Sequence, residues 1–165
     1  MIVRLQNSEI YNCLAITSQI QILHLKRKSK ETYDAQNDFF EGLNIANFGF
    51  IGELSVAKAY NKFWFGNVGV IGEPDVDILE VRTVKKSNPH MYIYKKDRDM
   101  DKFVLVSVEN FPDVKICGWE FAGNLKKDKY WNPNLRYPTW HIPNDALRPA
   151  DELLDPEVYN SKFAL

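Results

Sequence analysis

The sequence predicts an α+β protein in which N-terminal helices pack on a mixed, mostly antiparallel sheet. Two segments near the N-terminus repeat apolar residues at helical spacing, and a series of segments that alternate apolar and polar residues follows from residue 64 onward. Short turns separate these later segments, as expected of antiparallel hairpins. Helices followed by a run of strands are typical of α+β proteins.

Length and charge limit the organisation of the chain. Its 165 residues favour a single domain over 1–165, in which we expect a helical extension (1–46), a core (47–122) and an irregular C-terminal extension (123–165). With 21 Lys and Arg against 22 Asp and Glu, the net charge is −1. Overall charge therefore gives no attraction to DNA or to a membrane, and any nucleic-acid contact must come from local clusters.

Cysteine usage and hydropathy indicate the compartment. Cys13 and Cys117 lie far apart and neither has a CxxC partner, which argues against a disulfide framework or a zinc ribbon. No stretch approaches the ~18 apolar residues of a membrane span, and the N-terminus lacks the apolar core of a signal peptide. We therefore expect a cytoplasmic protein in a reducing compartment, with no membrane partner.

The first helix is predicted over 8–30. Ser8 can cap it, and the basic run at its end either solvates the last turn or contacts phosphate. Its apolar and small side chains fall close to one face: Ile10, Cys13, Leu14, Thr17, Ile20 and Leu23.

A second helix is predicted over 47–62, and it carries a carboxylate on its apolar stripe. Glu53 is in register with Val56, Ala57 and Tyr60. An inward carboxylate is unfavourable unless it pairs with a cation or a metal. Glu53 is therefore a candidate site residue, and the alternative is a surface or first-turn Glu.

The second half of the chain predicts strands. The segment 64–72 is predicted to be a short strand or hairpin arm, and 77–86 a strand. The tail is predicted to be irregular chain over the sheet, with a short helix near 149–154. Three further strands, separated by short turns, are predicted at 90–96, 102–110 and 114–122.

Several acidic groups come together around the start of the 77–86 strand. On a strand, Glu80 and Arg82 share one side, and Asp75 and Asp77 lie just upstream. Mg²⁺ takes oxygen ligands, commonly one or two carboxylates with water and phosphate, and an adjacent cation can neutralise phosphate charge. The alternative is an Asp-rich turn followed by a strand with a Glu–Arg pair on its solvated face.

These motifs resemble the PD-(D/E)XK nuclease superfamily. Pro74-Asp75 with Glu80-Val81-Arg82 is similar to its signature, GELSVAKAYN is similar to its N-terminal core helix, and the likeness spans about 49–122. The later WHIPNDALRPADEL resembles the tail of small uncharacterised phage and bacterial members. The resemblance implies a restriction-endonuclease-like core that hydrolyses DNA phosphodiester bonds with Mg²⁺ or Mn²⁺, in a bacterial or phage-infected cell.

The resemblance also implies residue roles. Asp75 and Glu80 would bind the metal, Glu53 would support it or orient water, and Arg82 would take the place of the family's Lys. Because only four residues separate Asp75 from Glu80, fewer than is usual in the family, Asp77 is an alternative ligand. A guanidinium stays protonated, so Arg82 can stabilise negative charge but cannot serve as a base.

Lysines at strand ends are candidate DNA contacts. Lys85, Lys86 and Lys95 border the predicted site and could follow a phosphate backbone, with Tyr130 or Trp131 available for stacking. Lysines at strand edges also protect sheets from aggregation, which is the alternative interpretation.

Two other functions remain open. The chain could be a catalytically inactive nuclease-like module that binds nucleic acid or a protein partner, an alternative that Arg82 favours. It could also be a structural protein whose aromatic tail forms a homo-oligomer interface. The acidic run of Asp97, Asp99 and Asp101 is predicted to be a solvated hairpin turn, because it lacks the Gly and Glu of a calcium loop.

Overall fold

The protein is built from two long helices and two sheets. The computed structural model describes residues 1–27, 39–66, 73–135 and 137–163. The helices are α1 (Asn7–Arg27), α2 (Phe39–Ala59), α3 (Ala122–Leu125) and α4 (Pro156–Tyr159). The strands are β1 (Ile2–Arg4), β2 (Leu79–Val84), β3 (His90–Ile93), β4 (Lys102–Ser107), β5 (Asp113–Phe121), β6 (Trp131–Asn132) and β7 (Thr139–Pro143).

The main sheet has the strand order β1-β5-β4-β2. Strand β4 is antiparallel to β5 and parallel to β2, so the sheet is mixed. Every residue of β4 is buried, since Val104 and Val106 face the helices while Phe103 and Leu105 face the second sheet. A strand covered on both faces forms an uninterrupted apolar run such as FVLV. The predicted α+β class is confirmed; the restriction-endonuclease-like core stays a prediction.

The second sheet, in the order β3-β7-β6, corrects two predictions. Strand β3 does not form a hairpin with β2 or β4, and the tail is not wholly irregular. Instead, β3 pairs antiparallel with β7, placing Met91 opposite Ile142. The short turns suggested local hairpins, but the apolar faces of β3 and β7 are buried against β4 and α3, and this distant packing sets the pairing. The predicted helix near 149–154 is a 3₁₀ helix, Ala150–Leu154.

Helix α2 begins earlier than predicted. It starts at Phe39 instead of residue 47, because the segment before Asn47 continues the helix with Glu41 in its first turn. It ends by Asn61, whose φ of +52° is left-handed, and the Lys62 amide donates to the Ala57 carbonyl at 2.8 Å. The end of α1 predicted beyond Arg27, and residues 67–72 of the predicted strand, lie outside the described residues. Residues 64–66 form no strand.

Two apolar cores lie on opposite faces of the main sheet. Helices α1 and α2 cover one face, around Val56, Val104 and Trp119, and the second sheet with α3 covers the other, around Phe103 and Ile142. Strand β2 is at an edge, so groups on either face can meet around it. No helix in the described ranges is long and apolar enough to cross a membrane.

Candidate functional site

A tight hairpin places Asp75 beside the start of β2. Val76 and Leu79, both fully buried, exchange backbone hydrogen bonds of 3.0 and 2.9 Å. Asp77, with φ +54°, occupies the turn between them. The chain therefore doubles back, and Asp75 Oδ2 accepts a hydrogen bond of 2.7 Å from the Val81 amide. The short spacing between Asp75 and Glu80 is thus what a two-residue turn requires to bring them alongside one another.

Glu53 reaches the same edge from α2. A Cβ on Gly52 would lie 1.9 Å from Thr83 Oγ1, so only glycine allows the helix to approach β2 this closely. The left-handed turn at Asn61 then returns the chain along the helix, and Trp64 Nε1 donates to Glu53 Oε2 at 3.0 Å. Glu53 is partly buried, and its orientation is set by this indole.

The three carboxyl groups perturb one another. Burial first, then the charges of Asp75 and Glu80, raise the pKa of Glu53 to about 8, against a lowering contribution from Trp64. The pKa of Glu80 is raised to about 7, mainly by burial and next by the charge of Asp75, while the charge of Arg82 acts to lower it. Burial raises the pKa of Asp75, while the Val81 amide and Arg82 lower it. The structure therefore brings Glu53, Asp75 and Glu80 into one acidic cluster.

Arg82 lies next to this cluster and is fixed by several contacts. Its Nη2 donates to Asp97 at 3.2 Å, its Nε donates to the Tyr92 carbonyl at 3.4 Å, and its guanidinium lies 4.5 Å from the Phe103 ring centroid. Arg82 lowers the pKa of both Asp75 and Glu80. It therefore supplies a positioned positive charge beside the carboxylates.

Asp77 points elsewhere. Its carboxylate forms an ion pair of 2.9 Å with Lys62 and accepts a hydrogen bond of 3.2 Å from the Tyr159 hydroxyl. It does not contribute to the pKa shifts of Glu53, Asp75 or Glu80. The turn that brings Asp75 to β2 thus directs Asp77 toward Lys62.

The predicted DNA-contacting lysines are spread over the surface. Lys85 and Lys86 are exposed beyond the far end of β2, about 17 and 20 Å along the chain from Glu80 at ~3.3 Å per residue. Lys95 is exposed and its ammonium lies 5.0 Å from the Trp131 ring centroid. None of the three shifts the pKa of the acidic cluster.

Three residues were missed by the sequence analysis. Trp64 orients Glu53, and Asp97 orients Arg82. The third residue is Arg98, whose pKa is raised mainly by Asp101 and also by the nearby carboxylate of Glu80. The predicted solvated turn is therefore wrong at Asp97, whose side chain is 7% exposed. Its charge is compensated by a residue of β2, which no local pattern indicates.

The donor set fits a hard divalent cation that also takes ligands from water and substrate. Within 1–27, 39–66, 73–135 and 137–163, no group of three His, Cys, Asp or Glu side chains is arranged to hold a metal ion. Mg²⁺ commonly uses one or two carboxylates and completes its coordination with water and phosphate oxygens. Asp75 and Glu80 supply two carboxyl groups of that kind, and the charge of Asp75 is, after burial, the next cause of the raised pKa of Glu80.

Comparison with known proteins gives one local similarity. The chain is 30% identical over 76 residues to UvrABC system protein C of Fusobacterium nucleatum. That stretch is 46% of this chain but 13% of the relative, so the two proteins share only a short segment of the larger one. No family model and no solved structure matches the chain.

Proposed function

We propose that this chain is a metal-dependent nuclease that hydrolyses DNA phosphodiester bonds at Glu53, Asp75 and Glu80. The main support is that a helix and a hairpin direct three partly buried carboxyl groups to one sheet edge, beside Arg82. Partly buried carboxylates that repel one another are costly to keep without added positive charge.

Each residue then has a chemical task. Asp75 and Glu80 would hold Mg²⁺ or Mn²⁺, which supplies positive charge against the phosphate and lowers the pKa of a water molecule. Glu53, oriented by Trp64, would accept the proton of the attacking water. Arg82 stays protonated and would donate to the phosphate oxygens as negative charge builds up on them.

Cleavage assays on the full chain test this proposal. Plasmid and single-stranded DNA are incubated with Mg²⁺, Mn²⁺ or a chelator. We expect cleavage that needs the divalent ion and that falls by ~100-fold or more in Glu80→Gln. Asp99→Asn, which removes an exposed carboxylate paired with Lys126, is the matched control and should cleave normally. The proposal is overturned if wild type and Glu80→Gln are equally inert or equally active while circular dichroism shows that both are folded.

A non-catalytic nucleic-acid-binding module is the second candidate. The Arg in place of the family's Lys favours it, because a guanidinium cannot act as a base, and the ion pair with Asp97 further engages its charge. This candidate expects DNA retention that weakens with salt and is independent of metal. Titration calorimetry with Mn²⁺ separates the two, since the nuclease should release or absorb heat at millimolar metal and the module should not.

A further inference from the structure

An open cleft of about 610 Å³ is lined in part by the hairpin that carries Asp75. Pro74, next to Asp75, and Ile78, in the hairpin turn, form its near wall. Met100, Phe121 and Phe163 add an apolar surface opposite. The cleft therefore begins where the hairpin that carries the candidate site ends. Its size lies in the range of pockets that take small organic ligands, about 300–1,000 Å³.

The far wall is held in place by packing. The Phe163 ring centroid lies 5.4 Å from that of Phe121. A Cβ on Gly123 would lie 2.6 Å from Phe163 Cζ, so the ring rests directly on the glycine backbone. The hydroxyl of Ser161 donates to the Val158 carbonyl at 2.7 Å, which ties the preceding turn to α4. An aromatic ring is thereby presented at a fixed place in the cleft.

The polar lining of the cleft is predominantly cationic. Lys162 is exposed, and the ammonium of the buried Lys102 donates to the carbonyls of Val158, at 2.7 Å, and of Tyr159. Arg98 forms an ion pair of 2.8 Å with Asp101. Arg98 is thus neutralised by Asp101 and Lys102 is engaged by carbonyls, so Lys162 is the cation of the lining that is exposed to an anionic ligand.

We infer that the cleft receives an unpaired nucleotide of the DNA strand, next to the phosphate positioned at Glu80. This inference rests on the proposed function, because the nuclease proposal is what places a phosphate at Glu80. Phe163 and the neighbouring apolar surface suit the face of a base, and Lys162 suits its phosphate. Stacked and paired bases in a duplex cannot enter such a cleft without leaving the helix, which is unfavourable. The substrate is therefore single-stranded or locally unpaired DNA.

Metal-free binding tests the inference separately from catalysis. Fluorescence anisotropy in chelator compares a labelled oligothymidylate of about 12 nucleotides with a duplex of equal length. We expect tighter binding of the single strand, weakened ~10-fold by Phe163→Ala and ~5-fold by Lys162→Glu. If Phe163→Ala does not fold, Lys162→Glu still tests the inference, because Lys162 is exposed and its replacement should not disturb the fold. Lys115→Glu, an exposed lysine on β5 outside the cleft, is the matched control and should bind normally.

The outcomes separate the two proposals. The inferred nucleotide binding by the cleft is overturned if wild type, Phe163→Ala and Lys162→Glu bind the single strand equally well. It is also overturned if the protein binds duplex and single strand with equal affinity. If Glu80→Gln abolishes cleavage while Lys162→Glu and Phe163→Ala cleave single strands normally, the cleft does not bind the substrate, but the proposed nuclease activity is supported. If the binding differences appear but wild type cleaves no DNA with Mg²⁺ or Mn²⁺, the cleft binds single-stranded DNA and the proposed nuclease activity is wrong.

Discussion

Two acidic regions of this protein differ in what compensates their charge. The turn between β3 and β4 carries three carboxylates, and each faces a cation. Asp97 pairs with Arg82 at 3.2 Å. Asp99 pairs with Lys126 at 2.6 Å, and Asp101 with Arg98 at 2.8 Å.

Two of the carboxylates at the edge of β2 accept hydrogen bonds from neutral donors instead. Glu53 accepts from the Trp64 indole, and Asp75 accepts from the Val81 amide. Arg82, their cationic neighbour, already donates to Asp97. The number of acidic residues does not distinguish the two regions. The difference is that each turn carboxylate forms an ion pair, whereas Arg82 acts on Asp75 and Glu80 while it is paired with Asp97. Carboxylates without an ion pair of their own are those that can attract a divalent ion.

The largest expected difference between the two regions is in metal binding. Asp75→Asn should weaken Mn²⁺ binding about 100-fold or abolish it, because a neutral amide is a poorer ligand than a carboxylate. Asp99→Asn is the control, since its carboxylate is paired with Lys126 and does not act on the pKa of Glu53, Asp75 or Glu80. Titration calorimetry measures both variants. Equal affinity in the two would contradict the assignment of the ion to the β2 edge.

Substitutions that keep shape and remove charge should change stability in opposite directions. In chelator at pH 8, Asp97→Asn should lower the free energy of unfolding by about 2 kcal/mol, because Arg82 loses its partner. Glu53→Gln should raise it by about 1 kcal/mol, because a repelled, partly buried charge is removed. Urea denaturation followed by circular dichroism measures both. A loss of stability in Glu53→Gln would mean that its charge is compensated after all.

A buried cation provides a pH test of uncompensated charge. Burial first, then the charge of Arg148, lower the pKa of Lys102 to about 8 from its ordinary 10.5. Between these values the unfolded chain binds the extra proton, so stability should rise with pH by about 2 kcal/mol from pH 8 to 10. Comparison with Lys102→Met isolates this contribution, because that variant lacks the titrating group. If the free energy of unfolding changes with pH in the same way in both proteins, Lys102 does not make this contribution.

The smallest effect is expected at the exposed ion pair of the turn. Asp99→Asn removes the pairing with Lys126, but the Asp99 side chain is 57% exposed. Such pairs contribute roughly 0–1 kcal/mol, so the free energy of unfolding should change by less than about 0.5 kcal/mol. Thermal unfolding at low and high salt measures this. A larger loss would place Asp99 with the structural carboxylates such as Asp97.

The local sequence predicted most of the elements but not their partners. Alternation of apolar residues predicted β2, β3 and β5, and an uninterrupted apolar run predicted β4, because burial of one or both faces of a strand determines its residue pattern. The pairing of β3 with β7 was not predictable from the turns. It depends on an apolar face around Met91 and Ile142 that neither segment can bury alone.

The candidate site follows the same division. The residue types of Glu53, Asp75, Glu80 and Arg82 could be selected from the sequence, since each is a charged group in or next to an apolar pattern. Their grouping could not. It depends on the turn at Asp77 and on the close approach of α2 at Gly52.

The sequence by itself determined an α+β fold, its principal strands and a short list of charged residues, because periodicity and residue chemistry are local properties. The tertiary structure alone decided which carboxylates meet a cation and which do not, because ion pairs form between side chains far apart along the chain. That choice separates Asp75 from Asp77, two residues apart in one turn. One accepts the Val81 amide beside Glu80, and the other pairs with Lys62.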